Sequence, residues 1–497
     1  MTETKKSRIS PFVKQCFVTS AVCSNIIGHG CCMGFPAVLL PQLFLEDSSI
    51  QLTMKEFSWI ASVMWIALLV SNFIMPPIMG KLGRKIAHFS VSVPSIAGWG
   101  AIIFANSFEM LIIGRILQGL SVGMMLPLRS VLIGEYTSPK NRGAFLTTVS
   151  LAQAFGVFFV HLIGSLVSWQ RTAIICMFFS LLSLIMTVFS PESPSWLVDK
   201  GRFDEGRKEF QWLRGTDEEN ELNEMFHARI SMEKEDIERN RHNCLRETVK
   251  GEFIRPITIM LSFYAMMHMA GGTTMAAFPP QIITMTVGPG VNSHFWTIAL
   301  DTMHIVTNFG AIFAINNLGR RTMTFATGGI SAVSHFAIAG YVFAEKHGYL
   351  DIEGTWLPLL LIHIQFFCVA AGMGTLPSVI AGEIFPMKYK SLGGGISLAV
   401  SALFMFGILK SFLIMVQTVG IDGTYLIFGC GICVCLVVIA VLLPETHGKT
   451  LNEIEDELKG RPLRPQQIDV TMPLQFYHVD VATRKMSAPI DSITSSC

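Results

Sequence analysis

Apolar residues in this chain run in long blocks separated by short polar stretches, many of them basic. Twelve blocks reach the length, about 20 mostly apolar residues, that a helix needs to cross a bilayer. They cover 15–41, 57–79, 87–105, 110–133, 144–167, 172–190, 256–286, 294–315, 322–344, 356–381, 392–417 and 423–443, and are numbered here as spans 1 to 12. Pro36, Pro76, Pro77, Pro127, Pro279, Pro280 and Pro377 fall inside spans. Membrane helices tolerate such breaks where neighbours satisfy the freed backbone groups.

One stretch departs from this pattern. Residues 191–252 are rich in Glu, Lys and Arg, with Phe210, Leu213, Leu222, Met225 and Phe226 at helical spacing. That pattern predicts short amphipathic helices lying under the bundle. Residues 461–497 are polar, with Pro, Gln and Ser, and read as a disordered tail. The predicted organisation is an N-terminus (1–14), a six-helix half (15–190), a helical loop (191–252), a second six-helix half (253–445) and a tail (446–497).

Charge sets the orientation. Lys5, Lys6, Arg8, Lys14, Lys81, Arg84, Lys85, Lys140, Arg142, Arg320, Arg321, Lys388, Lys390 and Lys449 collect on one side, while the opposite loops carry Lys55, Arg171 and Lys346. The basic side is expected to be cytoplasmic, with both termini on it. Composition agrees with a membrane class: 51% of residues are hydrophobic and only 15% charged, against about 25% charged in soluble domains. A net charge of +1 gives no reason to expect a nucleic-acid partner. The expected partners are a small-molecule solute and the lipid bilayer, and the sequence sets no oligomeric state. The first apolar block is too long for a signal peptide and lacks a small-residue cleavage site. No Asn-x-Ser/Thr sequon occurs.

Most of the eleven cysteines lie in or beside apolar runs and are expected to be free thiols packed as small hydrophobes. Cys430, Cys433 and Cys435 cluster, but no His or acid lies close in sequence, so no metal site is expected. The absence of a P-loop and of His-Glu-x-x-His argues against an enzyme, and no cofactor is expected.

The chain repeats itself. Gly80-Lys-Leu-Gly-Arg-Lys85 after span 2 returns as Asn316-Asn-Leu-Gly-Arg-Arg321 after span 8. Gly134-Glu135 with Arg142-Gly143 returns as Gly382-Glu383 with Lys390-Ser391, and Pro191-Glu192 returns as Pro444-Glu445. Three motifs in the same order predict two pseudo-symmetric halves with a solute site between them near the midplane.

These motifs resemble the sugar porter family of the major facilitator superfamily, and within it the trehalose and hexose facilitator branch. Gly114-Arg115, Gln211-Trp-Leu-Arg-Gly215, Gly372-x-Gly374-x-x-Pro377 and Pro444-Glu-Thr-x-Gly-Lys449 followed by Leu451-Asn-Glu-Ile-Glu455 carry the same likeness. The resemblance implies an all-α fold of twelve transmembrane helices, alternating access and a sugar as solute. Arg84, Glu135, Arg142, Arg320, Glu383 and Lys390 are then expected to form a cytoplasmic gate, pairing when that side is closed and parting when it opens. The plainer reading is that they are positive-inside anchors.

The pocket departs from the family. Where the family carries a Gln-Gln pair on span 7, this chain has Met267-His268, followed by Met269-Ala-Gly-Gly-Thr273. The span 8 Asn position holds His304, Ser378 stands where a Trp follows the Pro, and Ser401-Ala402 replaces Asn-Trp. Span 5 amide positions fall on Ser150 and His161. Each lost neutral hydrogen bond to a sugar forfeits about 0.5–1.5 kcal/mol. The candidate solute-binding residues are His161, Met267, His268, Thr273, His304, Asn308, Ser378 and Ser401. Asp301, His304 and Asn308 share one helix face, and Asp301 is a candidate for proton coupling beside the histidines. The blander reading is interhelical hydrogen bonding. His29 and Lys410 also lie within apolar runs, and Arg129 is expected to snorkel to the cytoplasmic edge. His335 and His363 read as structural.

The leading expectation is facilitated transport of a sugar. The alternatives are a non-sugar metabolite (an amino-acid derivative, nucleoside or organic ion, with or without proton coupling) and a non-transporting solute sensor.

Overall fold

The computed structural model describes residues 10–44, 50–215, 218–223, 225–226, 229, 251–288, 290–349, 356–385, 390–446, 449 and 451–458. The tail expected to be disordered lies outside them. The described residues contain helices and no strands.

The first half comprises α1 (Pro11–Leu43), α2 (Met54–Leu82), α3 (Arg84–Ile103), α4 (Phe108–Tyr136), α5 (Pro139–Gly164) and α6 (Trp169–Phe189). Local chemistry sets their starts. Ser10 caps α1, which has Pro11 at its first position. At α2, Glu56 N donates to Thr53 Oγ1 at 3.3 Å and Thr53 N donates to Glu56 Oε2 at 2.7 Å, a reciprocal capping box. Two short helices follow, α7 (Pro194–Asp199) and α8 (Phe203–Arg214). Phe210, Leu213 and Leu222 are buried, so the amphipathic face of the loop is covered.

In the second half, span 7 is broken into α9 (Gly251–Met269), α10 (Thr274–Ala277) and α11 (Pro279–Val287). Next come α12 (Ser293–Asn317), α13 (Arg320–Lys346) and α14 (Trp356–Cys368). A π-turn at Val369–Met373 then leads into α15 (Leu376–Ile384). Spans 11 and 12 form one helical run, α16 (Lys390–Leu442), bent at Gly420, whose φ of 79° only glycine adopts readily. A last helix, α17 (Leu451–Leu458), closes the described chain. Among the described residues, ten helical runs are long and apolar enough to cross a membrane. The broken span 7 and the second span within α16 bring the count to the expected twelve.

Packing repeats between the halves. In the first, α1 lies on α5 and α6, and α4 on α2 and α3; in the second, α16 lies on α9 and α13, and α13 on α14. The α1–α5 contact is close because both helices present glycine. A Cβ on Gly156 would stand 2.9 Å from the Gly30 Cα and against the Ile27 carbonyl. Small residues at such crossings let membrane helices gain dispersion contact where burial from water offers no drive.

The halves meet through α2 against α16, α5 against α12, and α1 against α10 and α11. The repeated motifs build matching networks on the face that carries the basic loops. Arg84 Nε and Nη2 donate to the two oxygens of Glu135 at 2.8 and 2.7 Å, and Ser193 Oγ donates to Glu135 at 2.5 Å. In the second half Arg320 Nη2 donates to Glu383 at 3.1 Å, and Thr446 Oγ1 donates to the other Glu383 oxygen at 2.6 Å. Glu192 accepts from the backbone N–H groups of Arg84 and Lys85 at 2.8 and 3.1 Å. Glu445 accepts from those of Arg320 and Arg321 at 2.9 and 3.1 Å. Each glutamate sits at a helix N-terminus, where free N–H groups and the helix dipole favour an anion.

Candidate functional site

A cavity of about 390 Å³ lies between the halves, within the roughly 300–1,000 Å³ of small-molecule sites. Breaks in two helices shape its wall. In span 7, Gly271 (φ 96°) ends α9, and Gln365 Nε2 donates to the freed Ala270 carbonyl at 2.9 Å. In span 10, the π-turn places Val369 and Ala370 at the cavity, and such turns recur at functional sites.

The structure brings Met267, Thr273, His304, Asn308, Ser378 and Ser401 to this cavity. His268 stands behind the wall, fully buried. Its Nδ1 lies 2.9 Å from Thr273 Oγ1 and its Nε2 3.0 Å from Ser401 Oγ. It thus ties the break in span 7 to α16 and positions two hydroxyls that do face the cavity.

His161 and Asp301 are also outside the lining, because they face each other. His161 Nδ1 lies 2.6 Å from Asp301 Oδ2, and Nε2 lies 3.2 Å from the Ala276 carbonyl oxygen. A carbonyl can only accept, so Nε2 carries hydrogen, and a further proton must sit between Nδ1 and the carboxylate. His304, one turn after Asp301, packs its ring on Phe366.

This pair crosses between the halves away from the basic face. So does Lys410, whose Nζ donates to Ser58 Oγ at 2.8 Å and sits 3.9 Å above the Trp59 ring. Trp59 also packs on Phe406. At the basic face, the Arg84–Glu135 and Arg320–Glu383 pairs and the Glu192 and Glu445 caps each lie within one half. The residues expected to form a gate there lie within single halves: Arg84 with Glu135, and Arg320 with Glu383. Their partners sit on neighbouring helices of the same half, so these pairs brace each half and do not bridge the seam. Arg142 pairs with no carboxylate among the described residues, and the Lys390 side chain lies outside them.

A family model described as "Sugar (and other) transporter" matches residues 16–458. The chain belongs to that family. Facilitated trehalose transporters Tret1 are among the relatives of this sugar (and other) transporter. That of Polypedilum vanderplanki is 28% identical over 456 residues, covering 91% of this chain and 89% of the relative. That of Apis mellifera ligustica is 26% identical, covering 95% and 94%. The Drosophila grimshawi protein is 26% identical, and this chain spans only 48% of its length. Among solved structures, the xylose transporter XylE from E. coli in an inward open conformation aligns with a TM-score of 0.71 at 18% identity, covering 90% of this chain and 100% of that one. The fold is that of the major facilitator superfamily, and this family member is a multi-pass membrane transporter, not an enzyme.

Three lining residues carry more of the site than the sequence analysis gave them. His29 faces the cavity and lies with Nε2 2.9 Å from Ser121 Oγ. Gln153, a turn after Ser150, supplies an amide. Arg129, expected to snorkel away, lines the cavity with Nη1 donating to Gln153 Oε1 at 3.3 Å. The usable signal was an arginine inside an apolar run, which normally faces a protein interior or a water-filled path.

Proposed function

We propose that this protein is a facilitated transporter of a sugar or sugar-sized polar solute, with trehalose and hexoses as the first candidates, working by alternating access. The cavity between the halves carries this reading, lying in the seam beside the cross-seam contacts of His161, Asp301 and Lys410. Thr273, His304, Asn308, Ser378 and Ser401 offer donors and acceptors to hydroxyl groups, and Met267 offers an apolar contact. The His161–Asp301 pair and Lys410 on Trp59 act as the latch that closes the far side. Opening the far side breaks them, while the networks around Glu135 and Glu383 hold each half rigid.

The basic face is cytoplasmic in this proposal, which places both termini inside, and the membrane is the plasma membrane. Asp301 spends its carboxylate on His161 outside the cavity lining, which favours a latch over a proton carrier. The test is uptake of labelled trehalose and glucose into liposomes holding the purified protein, with and without a protonophore. Saturable uptake that the protonophore leaves unchanged supports facilitation. Uptake that it collapses restores proton coupling, and no uptake of either sugar removes the reading.

A further inference from the structure

The cavity has an unbalanced charge. Two guanidinium groups line it, Arg115 and Arg129, and among the described residues no Asp or Glu does. Arg115 is 1% exposed and is held by neutral acceptors: the Ile60 carbonyl at 3.1 Å, the Cys32 carbonyl at 2.6 Å and Gln118 Oε1 at 2.9 Å. Its Nε and Nη1 donors are committed, and at 1% exposure it contributes field more than contact. Arg129 makes one bond, to a neutral amide at 3.3 Å, so most of its donors are open to the cavity. Asp301 lies outside the lining, and its carboxylate is engaged by His161. A permanent cation beside a low-dielectric cavity with no counter-charge favours an anion there, and guanidinium is the side chain whose fork matches an oxyanion.

We infer that the transported solute carries an oxyanion, a carboxylate or a phosphate monoester, on a sugar-sized polyhydroxylated frame, and that Arg129 is the residue that binds it. This rests on the proposed sugar-transport function and narrows its substrate class. The halves supply different parts of the solute site. Arg129 and Gln153 on α4 and α5 take the charged end. Thr273, Asn308 and Ser401 across the seam take the hydroxyls.

The experiment uses the full chain in liposomes, with labelled glucuronate, glucose 6-phosphate, glucose and trehalose, each at zero potential and at an inside-positive potential set with potassium and valinomycin. The expected result is saturable uptake of one of the two acids, raised several-fold by the inside-positive potential, because a moving anion carries charge. Which acid moves separates a carboxylate from a phosphate. Arg129→Gln should lower that uptake more than tenfold, and Arg129→Lys should keep a larger share. Both variants would be compared as monodisperse protein, and the potential dependence of the unaltered protein needs no variant. Glucose or trehalose uptake that neither acid inhibits and potential does not change overturns the inference while leaving sugar transport standing. Failure of all four solutes overturns both. Acid uptake unchanged in Arg129→Gln removes Arg129 from the role.

Discussion

His161 on α5 and Asp301 on α12 hold Nδ1 and Oδ2 2.6 Å apart, one residue from each half, with neither side chain more than 4% exposed. Removing either partner strands the other in a buried site, which is costly. His161→Ala and Asp301→Ala should each lower the thermal midpoint by several degrees. The double variant should lose less than the two losses added together. A coupling of about 1–3 kcal/mol in that cycle is expected, and a coupling near zero would remove the latch.

Lys410 stands over Trp59 on the same side of the cavity. Lys410→Met keeps the length of the chain and deletes the charge, so the far side should open more often. A cation–π contact is worth about 0.5–2 kcal/mol, which corresponds to roughly two- to thirtyfold. A cysteine at Ala61, in the cavity wall, should then react that much faster with an impermeant maleimide added from the far side. Equal rates in the two backgrounds would show that Lys410 does not hold the closed state.

Glu192 and Glu445 cap the first turns of α3 and α13 in the same way. Glu192→Gln and Glu445→Gln should therefore cost similar amounts, about 1–2 kcal/mol each, read as matched drops in thermal midpoint. A large asymmetry would mean that the two networks, alike in geometry, differ in load.

Gly156 and Gly134 make a contrasting pair. A Cβ at Gly156 meets backbone atoms of α1, whereas one at Gly134 meets nothing within 4 Å. Gly156→Ala should cost about 2 kcal/mol or more, and Gly134→Ala should fall within about 0.5 kcal/mol of the parent. Thermal stability of the purified variants separates the two.

The sequence made the architecture plain because its signals are local or repeated: apolar blocks, a charged motif at each half, and Pro and Gly at the breaks. The matched positions of Glu192 and Glu445 were readable as a repeated Pro-Glu, although their backbone partners were not. The site was harder to read. Asp301, His304 and Asn308 share a face by spacing, but which of them meets the cavity depends on His161, which lies 140 positions away. His268 looked like a lining residue and instead orients two that are. Arg129 sits close enough to the basic face for snorkelling to be reasonable, and only the position of Gln153 on α5 shows where its head group goes.

The matched networks at Glu135 and Glu383 have a consequence for how such a carrier changes its cargo. Each half owns its own brace, built of residues that do not line the cavity. The wall can therefore carry an arginine or a histidine while the braces stay as they were. Selectivity and motion can then change independently of one another.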